Sequence, residues 1–274
     1  MDVPPNLPSA NLSAPTPGFF SPLNSLRDAR ENSARIFCLV FGLVCLVGTL
    51  SAGGIGFILI AIGFLIWVFS FFMAAHLKGR GVLVTDQSWP ELNAIVEASK
   101  AKLGISGVKA YVVQDSTFNA FATRMAGAEF IVLNSGAIDT LLRKGQMNDL
   151  RFLVGHECGH VAMGHTGFVG GMLPQLAAFF LSPLHNWYRR CQERSADRCG
   201  LYCAGNRKDA HRSIAVLAGG SEAGSRLELP QVVAQWNEVR HETWIAIVRF
   251  FSDYPHTAER IILIHQAADE LHIP

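Results

Sequence analysis

From Ile36 to Ala75 the chain carries no charged residue. As one helix this stretch would run about 60 Å, about twice the hydrocarbon core of a bilayer. Ser51-Ala52-Gly53-Gly54 breaks it near the middle, so two near-membrane-length pieces, a helical hairpin, are expected. One charge at mid-span costs about 2.5–3.5 kcal/mol, which makes an uncharged run of this length a strong indication of lipid exposure. Arg27, Arg30 and Arg35 precede the hairpin, Lys78 and Arg80 follow it, and the turn has no basic residue. The positive-inside rule then places both flanks, and the domain that follows, on the cytoplasmic side.

Composition agrees with an embedded segment: 50% of residues are hydrophobic and 16% charged, a low charged share for a soluble protein. The net charge of +1 leaves no basic excess to pair with phosphates, which argues against nucleic acid as a partner. The six cysteines form no C-x-x-C pair and read as small buried side chains in a reducing compartment. Three regions follow: a Pro-rich tail over 1–34, with Pro4, Pro5, Pro8, Pro15, Pro17 and Pro22, expected to be disordered; the hairpin over 35–76; and a domain over 77–274. The apolar run starts too late and is too long for the core of a cleavable signal peptide.

The third region reads as α+β, mainly helical with a small sheet. Trp89-Pro90 opens a helix to about Leu103. Val108–Val113, Ala120–Thr123 and Glu129–Leu133 have strand character, and Ile138–Leu142 begins another helix. A helix is expected over 148–164, ended by Gly164, and another over 188–204. Gly219–Ser225 reads as a loop, and Val232–Phe251 and Ala258–Leu271 as helical. The uncharged stretch 168–184 is too short for two spans of about 20 residues. An interfacial or re-entrant segment and simple core packing both remain open for it.

The helix over 148–164 contains His156-Glu157-Cys158-Gly159-His160. On a helix, His156 and His160 leave the same face, as a zinc ion bound by two imidazoles requires, with Glu157 beside them to take a proton from water. The plain alternative, two core histidines and a buried glutamate, leaves a costly unpaired acid without a task. A hydrolytic site holds zinc by three side chains. The metzincin continuation fails by register, because Met163 and Thr166 occupy its glycine and third histidine positions. His165 lies about a third of a turn away and reads as a capping or packing residue, and Cys158 points off the face. Glu193, in Glu193-Arg194-Ser195-Ala196-Asp197, is the better third ligand. Asp197, on the same helix face, can accept the outer N–H of a ligand imidazole. The competing reading of this pair is a surface charge pattern with the neighbouring arginines.

H-E-x-x-H followed by E-x-x-A-D resembles the gluzincins of the HtpX and CAAX prenyl protease 1 family, membrane zinc metallopeptidases. The similarity runs from about Asn119 to Arg260. It implies one Zn²⁺ per chain on His156, His160 and Glu193, with Glu157 as general base. It also implies substrate peptide along the edge strand that begins Asn119-Ala120-Phe121. Tyr254-Pro255 and Arg260-Ile261 resemble the family's H-P-x-x-x-x-R-I, with Tyr254 standing where the histidine is usual. Tyr254 and Arg260 thus become candidates to bind an oxyanion or, for Arg260, to orient Asp197. The expected function is a membrane-anchored zinc endopeptidase, with protein or peptide substrates and the bilayer as partners, in membrane protein quality control. The alternative is a zinc- and peptide-binding chaperone or adaptor without turnover.

Overall fold

The computed structural model describes residues 23–51, 53–117, 119–143 and 147–274. Most of the proline-rich tail lies outside these. Its expected extent, to residue 34, is corrected at the near end: α1 covers Leu23–Leu26 and α2 covers Glu31–Ser51. Leu26 is fully buried in the main core, and Glu31 is fully buried too. Apolar Leu26 and the paired Glu31 give this piece a packed destination that its prolines conceal.

Helix α2 and its successor α3 (Gly54–Arg80) are both long and apolar enough to cross a membrane. Most of their large apolar side chains face outward, among them Val44, Phe57, Leu65 and Phe72. Gly53, at the break between the helices, takes a positive φ of 71°, which glycine adopts without strain.

Next come β1 (Val82–Leu83), α4 (Pro90–Leu103), β2 (Lys109–Val113), β3 (Ala120–Met125), β4 (Ala128–Asn134) and α5 (Ser135–Arg143). The sheet order is β1-β2-β4-β3. Strand β2 runs parallel to β4, while β3 pairs antiparallel with β4 alone and forms an edge. Met125 pairs with Ala128, so Ala126-Gly127 is a two-residue turn. Both take positive φ, 50° and 79°, as type I′ hairpin turns require. The short strand β1 carries too little pattern to be read from sequence.

Helix α6 (Met147–Ala162) carries the H-E-x-x-H segment, and Gly164 closes it at φ 75°. A single π-helical turn (Phe168–Met172) and α7 (Leu176–Phe180) follow; neither is long enough to span a bilayer. Ala177 is buried against Ala34 and Cys38 of α2, whereas Phe168, Val169, Met172, Phe180 and Leu181 are exposed. Helix α8 (Ser182–Ala204) starts earlier than the sequence suggests, with Pro183 in its first turn.

Helix α9 (Arg207–Ser225) absorbs the expected Gly/Ser-rich loop, which is corrected to a kink at Gly220, where φ is 74°. The apolar pattern over 232–251 divides into α10 (Leu229–Val239) and α11 (Thr243–Phe251), and α12 covers Thr257–Glu270.

Helices α6 and α8 form the pair on which the site depends. A Cβ on Gly159 would lie 2.6 Å from Cβ of Cys199 and 3.2 Å from Cα of Ala196. Gly155 abuts Cys203 in the same way, and a Cβ on Gly200 would meet the Phe152 carbonyl at 2.8 Å. Small residues therefore let the two backbones touch. All six cysteines are free, and Cys158, Cys199 and Cys203 fill the main core.

Candidate metal centre

The close approach of α6 and α8 brings His156 and His160 opposite Glu193. Nε2 of His156 lies 3.4 Å from one Glu193 carboxylate oxygen, and Nε2 of His160 lies 3.6 Å from the other. One ligand atom from each residue can be chosen so that all three are within 4.8 Å of one another. Tetrahedral zinc with bonds of about 2.0–2.1 Å spaces its ligand atoms by about 3.4 Å. The donor set and its spacing therefore fit a zinc ion.

The outer face of each imidazole is also engaged. Nδ1 of His156 lies 2.9 Å from Oδ1 of Asp197. Arg260 holds that carboxylate in a fork, Nε to Oδ2 at 2.9 Å and Nη2 to Oδ1 at 2.6 Å. Nδ1 of His160 lies 2.9 Å from Nδ1 of His165. His165 thus meets the outer nitrogen of His160, the wrong side for a fourth ligand. His165 is buried, and its N–H bonds the His160 carbonyl at 2.8 Å at the helix end; the turn after Ala162 also swings its ring back towards His160, which the offset on a straight helix does not suggest. Cys158 points into the core and is no ligand either.

Burial sets the electrostatics. Against the cost of burial, the hydrogen bond from His156 and the charges of His160, His156 and Arg260 hold the Glu193 carboxyl well below the usual range. Burial also opposes ionisation of Asp197, but Arg260 and His156 overcome it and keep this acid low. His156 is raised to about 10: burial disfavours its charge, and Asp197 and Glu193 more than compensate. Burial holds His160 well below the ordinary imidazole value despite Glu193. Glu157 rises to about 7, chiefly through burial, with Glu193 adding to the rise and His156, the Ala122 N–H and Arg260 opposing it.

His156, Glu157, His160 and Glu193 line a cavity of about 660 Å³ whose other wall is Asn119 and β3 as far as Arg124. Asn119, Ala120 and Phe121 all face this space, and Ala122 donates its N–H to Glu157. Tyr254 and Arg260 complete the lining. The Tyr254 ring stacks with Arg189 at 5.7 Å, and Arg189 Nη2 reaches its hydroxyl at 3.4 Å. Arg260 is engaged with Asp197 through both Nε and Nη2. Arg189, 3.7 Å from Glu193, was not singled out by the sequence, because one arginine among several on α8 has no distinguishing pattern.

The model of peptidase family M48 matches residues 86–179. The match spans β2, β3, β4 and the H-E-x-x-H helix, and it supports a metallopeptidase. It stops short of Glu193, so the convergence of α8 on the two histidines is independent support from geometry. No curated protein and no solved structure matches the chain.

Proposed function

We propose that the protein is a membrane-anchored zinc endopeptidase of the HtpX and CAAX protease type, acting on protein chains at the cytoplasmic face of a bilayer. The observation that carries this reading is the approach of Glu193 to His156 and His160 beside a buried Glu157. Zinc held there would polarise a scissile carbonyl and activate water. Glu157, buried beside that position, would serve as the base that takes a proton from water and returns it to the leaving amine. Asp197, clamped by Arg260, fixes the ring of His156. Tyr254 stands at the cavity wall with a hydroxyl able to donate to a developing oxyanion. An extended substrate adds as a strand along β3.

A bilayer location is supported by the outward apolar faces of α2 and α3 and by the exposed Phe168, Val169 and Met172, the last of which lines the cavity. Quality control of membrane proteins is the role that such an anchored, strand-reading site suits.

The test uses the full chain in mild detergent, with zinc analysis and cleavage of an unfolded protein such as casein. Glu157→Gln should retain one zinc and lose cleavage, whereas Glu193→Ala should lose the zinc. An active Glu157→Gln removes the base. Zinc retained by Glu193→Ala removes the ligand set. Peptide binding without chelator-sensitive cleavage in the parent chain would favour the non-catalytic adaptor.

A further inference from the structure

Glu31 is the first residue of α2, the first apolar helix, yet its side chain is fully buried. Arg27 and the Ser195 hydroxyl both bond its carboxylate. Its Oε1 lies 3.2 Å from Nε2 of His165, a close approach that falls short of hydrogen-bond geometry. His165 in turn meets the outer nitrogen of His160 at 2.9 Å.

The tautomers along this line are fixed by one requirement. An imidazole that binds metal through Nε2 keeps its proton on Nδ1. His160 turns Nε2 towards Glu193, so its Nδ1–H donates to Nδ1 of His165. The proton of His165 is then on Nε2, facing Glu31. We propose that Glu31, acting through His165, is a positioning residue for the metal ligand His160, so that the root of the hairpin is part of the metal centre.

This inference rests on the metal reading above and extends it to a segment outside the M48 match. The arrangement mirrors the other imidazole. His156 is backed by Asp197 and Arg260; His160 is backed by His165, Glu31 and Arg27. The root is held from several sides. Arg27 Nη2 donates to the Met163 carbonyl at 3.2 Å, the Asp28 N–H donates to Ser195 Oγ at 2.9 Å, and Leu26 sits in the main core. Arg27 and Ser195 alone give the buried carboxylate partners. Packing alone does not explain a third contact, aimed through an imidazole at the metal ligand.

The experiment measures zinc dissociation constants by chelator competition on the full chain in detergent, with melting of the zinc-free forms alongside. Glu31→Gln and His165→Leu should each weaken zinc about ten- to hundredfold. The double variant should bind no more weakly than His165→Leu, because Glu31 acts only through His165. His165→Asn should recover part of the loss, since its carbonyl can accept from His160. Zinc affinity unchanged in Glu31→Gln, or losses that multiply in the double variant, overturns the proposal while leaving the metal reading intact. Should Glu31→Gln fail to fold, Glu31→Asp keeps the charge near Arg27 and withdraws it from His165; undiminished affinity there overturns the proposal equally. A parent chain that binds no zinc overturns the metal reading, and this proposal with it.

Discussion

Gly159 of α6 faces Cys199 of α8 so closely that a single added methyl would sit 2.6 Å from the cysteine Cβ. His160 follows Gly159 directly, and Glu193 lies less than two turns before Cys199 on the opposing helix. The separation of the two helices therefore sets the separation of the ligands.

Gly159→Ala should force α6 and α8 apart. Overpacking of this kind costs about 1–3 kcal/mol, and the melting temperature should fall accordingly. Zinc affinity should fall further than stability alone explains, because Glu193 retreats from both imidazoles. Cys199→Gly added to Gly159→Ala removes the obstructing Cβ and should restore much of the zinc affinity. Calorimetric melting and chelator competition on the two variants check both effects.

Zinc binding should release a proton near neutral pH. His156 titrates at about 10 in the metal-free protein, so at pH 7.5 its Nε2 carries a proton that zinc must displace. Affinity should rise with pH up to about 10. The sign for stability is opposite. His156 is raised above its ordinary value, so its contribution to the zinc-free fold is complete below about 6.5 and is lost as pH rises through 10. Titration calorimetry in buffers of different ionisation enthalpy counts the released proton; no release contradicts the assignment.

Tyr254→Phe tests the phenol. Loss of an oxyanion donor lowers kcat about 10²–10³-fold, with little change in KM. Tyr254→His, which restores a donor at the same place, should retain more activity than the phenylalanine variant. A fully active Tyr254→Phe assigns the hydroxyl no part in the reaction.

Ala126 occupies a left-handed conformation at φ 50° in the β3–β4 turn. Such a backbone costs an ordinary side chain about 1–2 kcal/mol. Ala126→Asn creates the Asn-Gly pair that this turn favours and should raise stability by about 0.5–1 kcal/mol with cleavage unchanged. Thermal melting reads the gain.

The parts of the molecule that are local in sequence were readable from it. His156 and His160 are one helical turn apart, so their shared face follows from periodicity alone. Glu193 and Asp197 form a second such pair, and each meets its partner across one helix interface. The strands β2, β3 and β4 showed themselves by β-branched and aromatic runs. What stayed hidden depends on contacts between distant segments. Glu31 falls within the tail expected to be disordered, and only the fold carries it to Ser195 and His165. The spacing of Gly155 and Gly159 was visible, but its use needed the matching Ala196 and Gly200 on another helix. The Gly/Ser-rich stretch at 219–225 was read as loop because glycine disfavours helix; the chain instead confines the irregularity to Gly220 and continues.

The outer margin of β3 lies open along the cavity. Apart from the Ala122 N–H, which Glu157 engages, the main-chain groups there are left to water or to another main chain laid out straight. Compact proteins keep those groups occupied internally and have nothing to offer. Segments that have lost their native pairing do, whatever their side chains. On the proposed reading, the enzyme would tell damaged from intact proteins by conformation, with no recognition sequence.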